Sequence, residues 1–478
     1  MCFLSHVPPD TQADILSSLG FQLGSFPAKF LGVPLITSKL SLADCQPLLE
    51  KLKSRISSWT NRFLSYAGRL QLIKSVIHSI QAYWSAHFIL PASAIIDMNS
   101  SMSRFLWKGP SMGKSGAKVA WSKICLPYAE GGLAIKNLED WNKAQILSHL
   151  WQIIYPASSS FWAKWVRVVH LKNKYFWIMP IPLDCSWIWR KVLKLRPIAC
   201  RYISFTIGNG AHTSLWFDPW LGHSPLASSI QSPLIMNSGL GPAASVSQII
   251  FNSNWVLPAS NHNDLIEFRN AFDMASPCNS DAQDSILWDG IKAKDIKTSS
   301  FWHSIRKVGL NVGWSKMVWH NIVHPRYSFL LWLAFNKGLR TIDKLLLFGT
   351  EVNPLCVLCS SEKETFQYLF FQCRFSFQLL VAILRRCGWR GMDRSWTSIT
   401  EFLCCRSGPS LKQGLLIFGF ATVVYRIWQE RNSRIFSNKA TPLRVILRDL
   451  ILVLKCRLHT YARFQKLKSL AWFHHLVL

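Results

Sequence analysis

The sequence has few acidic residues and no adjacent pair of aspartates. Asp and Glu number 25, against 54 Lys and Arg. After Cys373 the acids are only Asp393, Glu401, Glu430 and Asp449, scattered along the chain. Many enzymes that form or cleave phosphodiester bonds hold a pair of metal ions with several clustered carboxylates. The sequence therefore predicts neither a magnesium site nor a catalytic centre of that kind.

Long hydrophobic runs are also missing. The longest, near residues 415–425, has about eleven residues, whereas a membrane-spanning helix needs about 20. The first nine residues lack the basic-then-apolar pattern of a signal peptide. The 13 cysteines are odd in number and irregularly spaced, which argues against a secreted disulfide framework. We therefore expect an intracellular protein, nuclear or cytoplasmic, with no membrane-spanning segment.

Hydrophobic and basic residues are abundant instead. With 478 residues, 49% of them hydrophobic, the chain can form two to four folded domains. The net charge of +29 favours a polyanionic partner, with nucleic acid the first candidate and an anionic membrane surface the second. Aromatic side chains can stack on bases but more often fill cores. We assign four tryptophans to the core: Trp187, Trp189, Trp216 and Trp220.

Apolar residues recur at helical spacing over several stretches. The period predicts helices over 48–59, 67–86 and 92–107, with Lys51, Lys53 and Arg55 on the polar face of the first. Two more helices are predicted over 410–436 and from 441 onward. Residues 30–35 read as one strand, and the Gly-Asn-Gly sequence at 208–210 is typical of a hairpin turn. Thr341 is predicted to cap a short helix.

The strongest motif is a cysteine cluster in the second half of the chain. Cys356 and Cys359 form a Cys-x-x-Cys pair, and Cys373 follows at a spacing suited to one tetrahedral zinc ion. Tyr368 stands where a histidine would complete the set, and a phenol is a poor zinc ligand at neutral pH. Other sources of a fourth ligand are water, His320, His324 or Cys387. The alternative is that the three cysteines are simply buried or weakly reactive thiols.

Several short motifs occur in the order found in one known family. They are Phe30–Leu35, Gly68–Val76, Phe105–Gly109, Trp121–Pro127, Gly131–Leu138, Asn142–Ala144, Ser186–Arg190, Ile207–Gly210 and Leu215–Leu221. This series resembles the region downstream of the polymerase palm in plant LINE-type (non-LTR) retrotransposon reverse transcriptases. The block from Asp284 to the cysteines resembles the reverse transcriptase zinc-binding domain that follows the polymerase in the same elements.

The resemblance implies a mainly α fold in six consecutive parts. These are a palm remnant (1–40), a helical thumb-like region (41–110), a connecting region with short strands (111–222), a loop-rich linker (223–284), a degenerate zinc-binding domain (285–380) and a basic helical tail (381–478). The family places the catalytic Asp-Asp hairpin upstream of the strand at 31–35. The catalytic palm is therefore expected to lie before Met1, and no polymerase activity is expected from this chain alone.

The resemblance also implies partners and binding residues. Six basic residues are expected to grip the backbone of a template–primer duplex: Lys51, Lys53, Arg55, Arg62, Arg69 and Lys74. The alternative is that they form the solvated faces of ordinary helices. Zinc is the implied cofactor, and the partners are RNA or DNA backbone and an intact retrotransposon polymerase acting in trans, with no membrane partner.

Two other functions remain open, a domesticated interaction module without enzymatic activity and a gene remnant without function. Without a palm to cover them, the apolar side chains of Leu52, Ile56, Ile73 and Ile77 are expected to be partly exposed.

Overall fold

The computed structural model describes residues 7–20, 22, 28–36, 38–59, 64–110, 116–172, 174–228, 235, 239–252, 254–256, 282–389, 394–405 and 411–460. The α-helices formed by these residues are α1 Pro9–Leu19, α2 Gln46–Ser58, α3 Tyr66–Leu72, α4 His78–His87, α5 Ala92–Lys108, α6 Trp121–Ile124, α7 Leu138–Ile154, α8 Phe161–Val166, α9 Trp187–Lys194, α10 Arg196–Cys200, α11 Thr298–Ile305, α12 Ser315–Val318, α13 Pro325–Phe335, α14 Ile342–Leu347, α15 Arg374–Arg386, α16 Trp396–Cys405, α17 Leu411–Ser437 and α18 Leu443–Thr460.

The helices are supplemented by short strands and three π-helical turns. The strands are β1 Ala28–Phe30, β2 Val33–Leu35, β3 Ile203–Thr206, β4 Ile250–Phe251, β5 Asn254–Trp255, β6 Ser285–Trp288 and β7 Ile291–Lys292. All pairings are antiparallel: β1 with β2, β4 with β5, and β3, β6 and β7 in one sheet that aligns Ile203 with Trp288. The π turns are Ile73–Ile77, Arg167–Leu171 and Tyr368–Gln372.

The mainly α prediction is confirmed, because helices form most of the regular structure. The helices predicted at 48–59 and 92–107 correspond to α2 and α5, and the two tail helices correspond to α17 and α18. The single strand expected at 30–35 is instead a hairpin. Leu31 and Gly32 form its turn with φ of 50° and 82°, a left-handed conformation suited to a two-residue hairpin loop.

The chain folds into two compact units, each built from three separate stretches. Unit 1 comprises Met1–Lys51, Ser79–Asp97 and Leu138–Lys307, and unit 2 comprises Leu52–His78, Met98–Asn137 and Val308–Leu478. The segments predicted as 41–110, 111–222 and 285–380 are therefore each divided between the two units. Most of the predicted linker at 223–284, including a short element expected at 265–272, lies outside the described residues.

In unit 1 an aromatic core joins α7, α11 and the three-stranded sheet. Trp288 of β6 is fully buried and meets Phe301 of α11 edge-on at 4.6 Å between ring centroids. Beside this core, the buried amide of Asn142 binds three backbone groups where α4 ends: it donates to the carbonyls of Ser85 and Phe88 and accepts from the N–H of Leu90. A buried amide satisfied in this way fixes the chain direction after the helix.

In unit 2 the long helix α17 packs against α13 and α15, and buried Leu, Phe and Val side chains fill the space between them. The Gly-Gly pair at 131–132 has a steric role in this unit. Gly131 has φ of 82°, and its carbonyl accepts the indole N–H of Trp332 at 2.8 Å. A Cβ at Gly132 would overlap the carbonyl of Leu126. Only glycine fits this crossing of the backbone.

Two expectations about side chains are settled by burial. Trp189, Trp216 and Trp220 are buried, which confirms them as core residues, whereas Trp187 is 40% exposed and lies beneath Lys39 and Arg190. The expected exposure of an apolar face is wrong, because the chain buries that face itself. The four residues concerned, all at most 1% exposed, are Leu52, Ile56, Ile73 and Ile77.

The hairpin predicted at 208–210 is also wrong. Strand β3, which precedes this turn, pairs with β6 near residue 288 rather than with a neighbouring strand. The turn wraps around Asp284, whose carboxylate accepts the N–H groups of Gly208, Gly210 and His212 and the hydroxyl of Thr213. No helix within the described ranges is both long enough and apolar enough to cross a bilayer.

Candidate metal centre

The first two cysteines lie on a tight turn in unit 2, residues 355–363, which we call the knuckle. Leu355 and Lys363 form an isolated antiparallel bridge at its base, and the N–H of Cys356 donates to the carbonyl of Glu362 at 2.7 Å. Ser360 closes the turn with a left-handed φ of 55°, and its N–H donates to the carbonyl of Cys356 at 2.7 Å. This turn holds the side chains of Cys356 and Cys359 on the same side of the chain.

The third cysteine is supplied by the junction between a π turn and α15. Within the π turn Tyr368–Gln372 the N–H of Cys373 donates to the carbonyl of Tyr368 at 2.8 Å, a five-residue step. Cys373 is the N-cap residue of α15. The Sγ atoms of Cys356, Cys359 and Cys373 all lie within 4.8 Å of one another. Because the Sγ atoms of a tetrahedral site with Zn–S bonds of ~2.3 Å stand about 3.8 Å apart, the cluster needs only small shifts to hold one ion.

Hydrogen bonds prepare these sulfurs to carry negative charge. The hydrogen bond from Cys356 lowers the pKa of Cys373, helped by the N–H groups of Ser376 and Phe375 at the start of α15. The same bond raises the pKa of Cys356. The hydroxyl of Tyr368 lies 3.2 Å from the Sγ of Cys359, and this contact raises the pKa of the phenol.

The zinc ion implied by the resemblance fits the three cysteines but not the fourth corner. The residue at the sequence position of the fourth ligand is Tyr368, whose hydroxyl lies beside the Sγ of Cys359. Among the described residues the cluster contains only the three cysteines, so the other candidate ligands do not join it. Cys387 packs near Gly419, and His320 near Gly414. His324 precedes α13 and faces the ring of Tyr327.

A buried ion pair between Glu364 and Arg431 lies next to the knuckle. Glu364 is 0% exposed and Arg431 of α17 is 2% exposed, and their carboxylate and guanidinium meet at 2.8 Å. The same carboxylate accepts the N–H of Ile342, the first residue of α14, at 2.9 Å. Thr341 is the N-cap residue of α14, as predicted, but its side chain makes no capping hydrogen bond. The carboxylate of Glu364 accepts a backbone N–H at this helix end instead.

A second arginine of α17 binds the knuckle itself. Arg434 donates from Nη1 to the carbonyls of Val357 and Leu358, the two residues between the paired cysteines, at 3.3 and 3.1 Å. Its Nε donates to the buried carboxylate of Glu430 at 2.9 Å. Satisfying these carbonyls fixes the loop that carries the two thiols. Sequence reasoning missed this support. A visible signal was the group of charged residues 430, 431 and 434 near the end of a helix whose middle, from Leu415 to Val424, is apolar.

The residues predicted to bind nucleic acid fall into two groups. Lys51, Lys53 and Arg55 are exposed on α2. With a helical rise of ~1.5 Å per residue, the Cα atoms of Lys51 and Arg55 are about 6 Å apart along one face. Arg62 lies outside the described residues. A basic, exposed helix of this kind suits contacts to a phosphate backbone.

The other two predicted residues are engaged inside unit 2. Arg69 donates to the carbonyl of Leu106 at 3.3 Å and stands over the ring of Tyr66. Lys74 donates to the hydroxyl of Tyr128 at 2.6 Å, and burial lowers its pKa to about 8. Both side chains therefore have internal partners, and their role in nucleic-acid binding stays a prediction.

Comparison with known proteins identifies the domain that carries the cysteines. Residues 297–379 match the family described as zinc-binding in reverse transcriptase. This segment contains the knuckle, the π turn and the start of α15. The chain thus carries a domain similar to the zinc-binding domain of reverse transcriptases.

Three curated relatives, all from Arabidopsis thaliana, extend this finding. One is named "Putative ribonuclease H protein" and is 22% identical over 434 residues, which cover 85% of this chain and 66% of that protein. An uncharacterized mitochondrial protein is 26% identical over 125 residues, which cover 26% of this chain and 80% of the relative. Another is 34% identical over 71 residues, covering 14% of this chain and 50% of the relative. The chain thus spans just under two thirds of the relative that it matches over the greatest length.

Proposed function

We propose that the chain is a truncated product of a LINE-type (non-LTR) retrotransposon reverse transcriptase that binds nucleic-acid backbone and does not polymerise. The supporting observation is the reverse transcriptase zinc-binding match at 297–379, in which the fold gathers the three cysteines at one point. The co-linear motifs upstream and the absence of an Asp-Asp pair from the sequence favour a region downstream of the palm. An intact retrotransposon polymerase acting in trans would then supply the catalytic residues.

The proposed contact to nucleic acid is electrostatic. The net charge of +29 attracts a phosphate backbone, and α2 presents three exposed basic side chains. Contacts of this kind position a duplex without reading its sequence, and each neutralised phosphate adds about 0.9 to the slope of log affinity against log salt. The proposal therefore predicts strong salt dependence and little sequence preference.

The test is binding of a labelled, primed RNA duplex between about 50 and 300 mM salt, followed by fluorescence anisotropy. Changing Lys51, Lys53 and Arg55 to Gln should lower the salt slope by about 2 to 3. The control variant changes three exposed lysines of unit 1 to Gln: Lys292, Lys294 and Lys297. It alters the net charge equally and should lower the slope by less than about 1.

Two outcomes would overturn the proposal. One is the absence of binding by folded protein at about 50 mM salt, which would leave the interaction module or the non-functional remnant as the better account. The other is an equal effect of the two triple variants, which would assign binding to net charge rather than to α2. Primer extension with Mg²⁺ and nucleotides should give no product, and incorporation by purified protein would refute the absence of catalysis.

A further inference from the structure

At the sequence position where a histidine would complete the cysteine set, the chain has Tyr368, whose hydroxyl lies beside Cys359. We propose that the centre binds an ion through three sulfurs and that Tyr368 donates a hydrogen bond to Cys359 instead of acting as a ligand. The presence of tyrosine rather than histidine at position 368 then shifts the metal preference of the centre from zinc towards soft, three-coordinate ions such as monovalent copper.

The placement of Tyr368 supports its role as a donor. Its hydroxyl lies 3.2 Å from the Sγ of Cys359, within hydrogen-bonding distance for sulfur. A metal-bound thiolate has no proton, so in the loaded centre the hydrogen of this contact must come from Tyr368.

The ligand set then decides the ion. Structural zinc is almost always four-coordinate, so a site with three protein ligands must complete its shell with water. Thiolates are soft ligands that select monovalent copper as well as zinc, and monovalent copper is stable with three sulfurs in a plane. A trigonal site with metal–sulfur bonds of ~2.3 Å needs sulfurs about 4 Å apart, a spacing close to that of a zinc site. The three Sγ atoms, all within 4.8 Å of one another, suit it.

The surroundings also suit three thiolates around a monovalent ion, whose net charge is negative. Each sulfur has its own donor: the hydroxyl of Tyr368 for Cys359, the N–H of Leu358 for Cys356, and the N–H groups at the start of α15 for Cys373. The guanidinium of Arg434 is bound to the knuckle carbonyls beside them. Hydrogen bonds to the thiolates offset part of the excess negative charge.

This inference concerns the metal centre alone and does not rest on nucleic-acid binding. The test compares the full chain with Tyr368→His and Tyr368→Phe, with no nucleic acid present. Apo protein is titrated anaerobically with monovalent copper and separately with zinc, each against a chromophoric chelator. X-ray absorption of the copper-loaded wild type counts the sulfurs around the ion. Cobalt(II) spectra report whether four protein ligands are available.

We expect one copper ion bound by three sulfurs in the wild type. Tyr368→Phe should keep the three-sulfur site and weaken copper binding by about tenfold, the effect of one lost hydrogen bond. Tyr368→His should lower the ratio of copper to zinc affinity by at least about 100-fold and give an intense tetrahedral cobalt spectrum. Cys373→Ser should lose both ions, which locates them at this centre.

The proposal fails if cobalt in the wild type shows a four-coordinate spectrum with a tyrosinate charge-transfer band that disappears in Tyr368→Phe. It also fails if the ratio of copper to zinc affinity is unchanged in Tyr368→His. A copper ion with two sulfurs, or no copper bound by folded protein, contradicts it as well. None of these results bears on the salt-dependent binding of a duplex, so the two proposals are tested separately.

Discussion

The buried pair of Glu364 and Arg431 gives the sharpest test of what holds the cysteine domain together. Replacing Glu364 by Gln keeps its size and an acceptor for the N–H of Ile342, but it leaves the guanidinium of Arg431 buried without a counter-charge. Removing one partner of a buried pair costs about 3 to 5 kcal/mol. For a domain stabilised by about 5 to 15 kcal/mol, this is a large share.

The measurement is urea unfolding followed by tryptophan fluorescence, and the ring of Trp428 lies 5.0 Å from the guanidinium of Arg431. With a urea dependence of about 2 kcal/mol per molar, the unfolding midpoint of Glu364→Gln should fall by about 2 M. The matched control is Glu139→Gln, which breaks the exposed pair with Lys143 and should cost no more than about 0.5 kcal/mol.

A double variant separates the charge effect from packing. Glu364→Leu combined with Arg431→Met removes both charges and should destabilise unit 2 less than Glu364→Gln alone. If Glu364→Gln lay within about 1 kcal/mol of the Glu139→Gln control, the assigned role of the pair would be refuted. The same holds if the double variant cost as much as the sum of its single changes.

Two further predictions concern unit 2. Burial, with the nearby charges of Lys136 and Lys74, lowers the pKa of His78 to about 4. In the unfolded chain the His pKa is ~6.5, so between pH 6.5 and about pH 4 the unfolded chain binds more protons at this residue than the folded chain does. The folded state therefore loses stability as the pH falls through that range. His78→Gln should remove about 2 kcal/mol of the loss between pH 7 and pH 5, measured by urea unfolding, and an unchanged pH dependence would contradict this. Gly132→Ala should destabilise unit 2 by at least about 3 kcal/mol, because the added Cβ would overlap the Leu126 carbonyl. The control Gly313→Ala, where a Cβ meets nothing within 4 Å, should change the unfolding midpoint little. Equal effects of the two changes would show that the backbone at Gly132 and at Leu126 can separate to make room.

Local patterns predicted the long helices well. The apolar spacing of α2, α5, α17 and α18 lies within each segment, so the sequence of that segment contains the signal. The Cys-x-x-Cys spacing likewise brings two thiols together through one tight turn. The third cysteine follows within the same short domain, so the cluster could be predicted from the sequence alone.

Partners distant in sequence could not be predicted. Strand β3 pairs with β6 across the long segment in between, and Glu364 meets Arg431 from 67 residues away. The basic residues show the same limit. Arg69 and Lys74 lie on a helical face that reads as polar, but Tyr66 and Tyr128 provide internal contacts that no local pattern reveals. Charge alone does not say which lysines and arginines face the solvent.

The π turn at Tyr368 has an evolutionary consequence. The hydrogen bond from the N–H of Cys373 to the carbonyl of Tyr368 fixes the separation of these two residues. The contacts of Arg434 with the knuckle and of Glu364 with Arg431 do not involve the side chain of Tyr368. Tyrosine and histidine codons differ only in their first base. One point mutation would therefore place an imidazole at position 368, the position at which the sequence analysis expects a histidine in a complete ligand set.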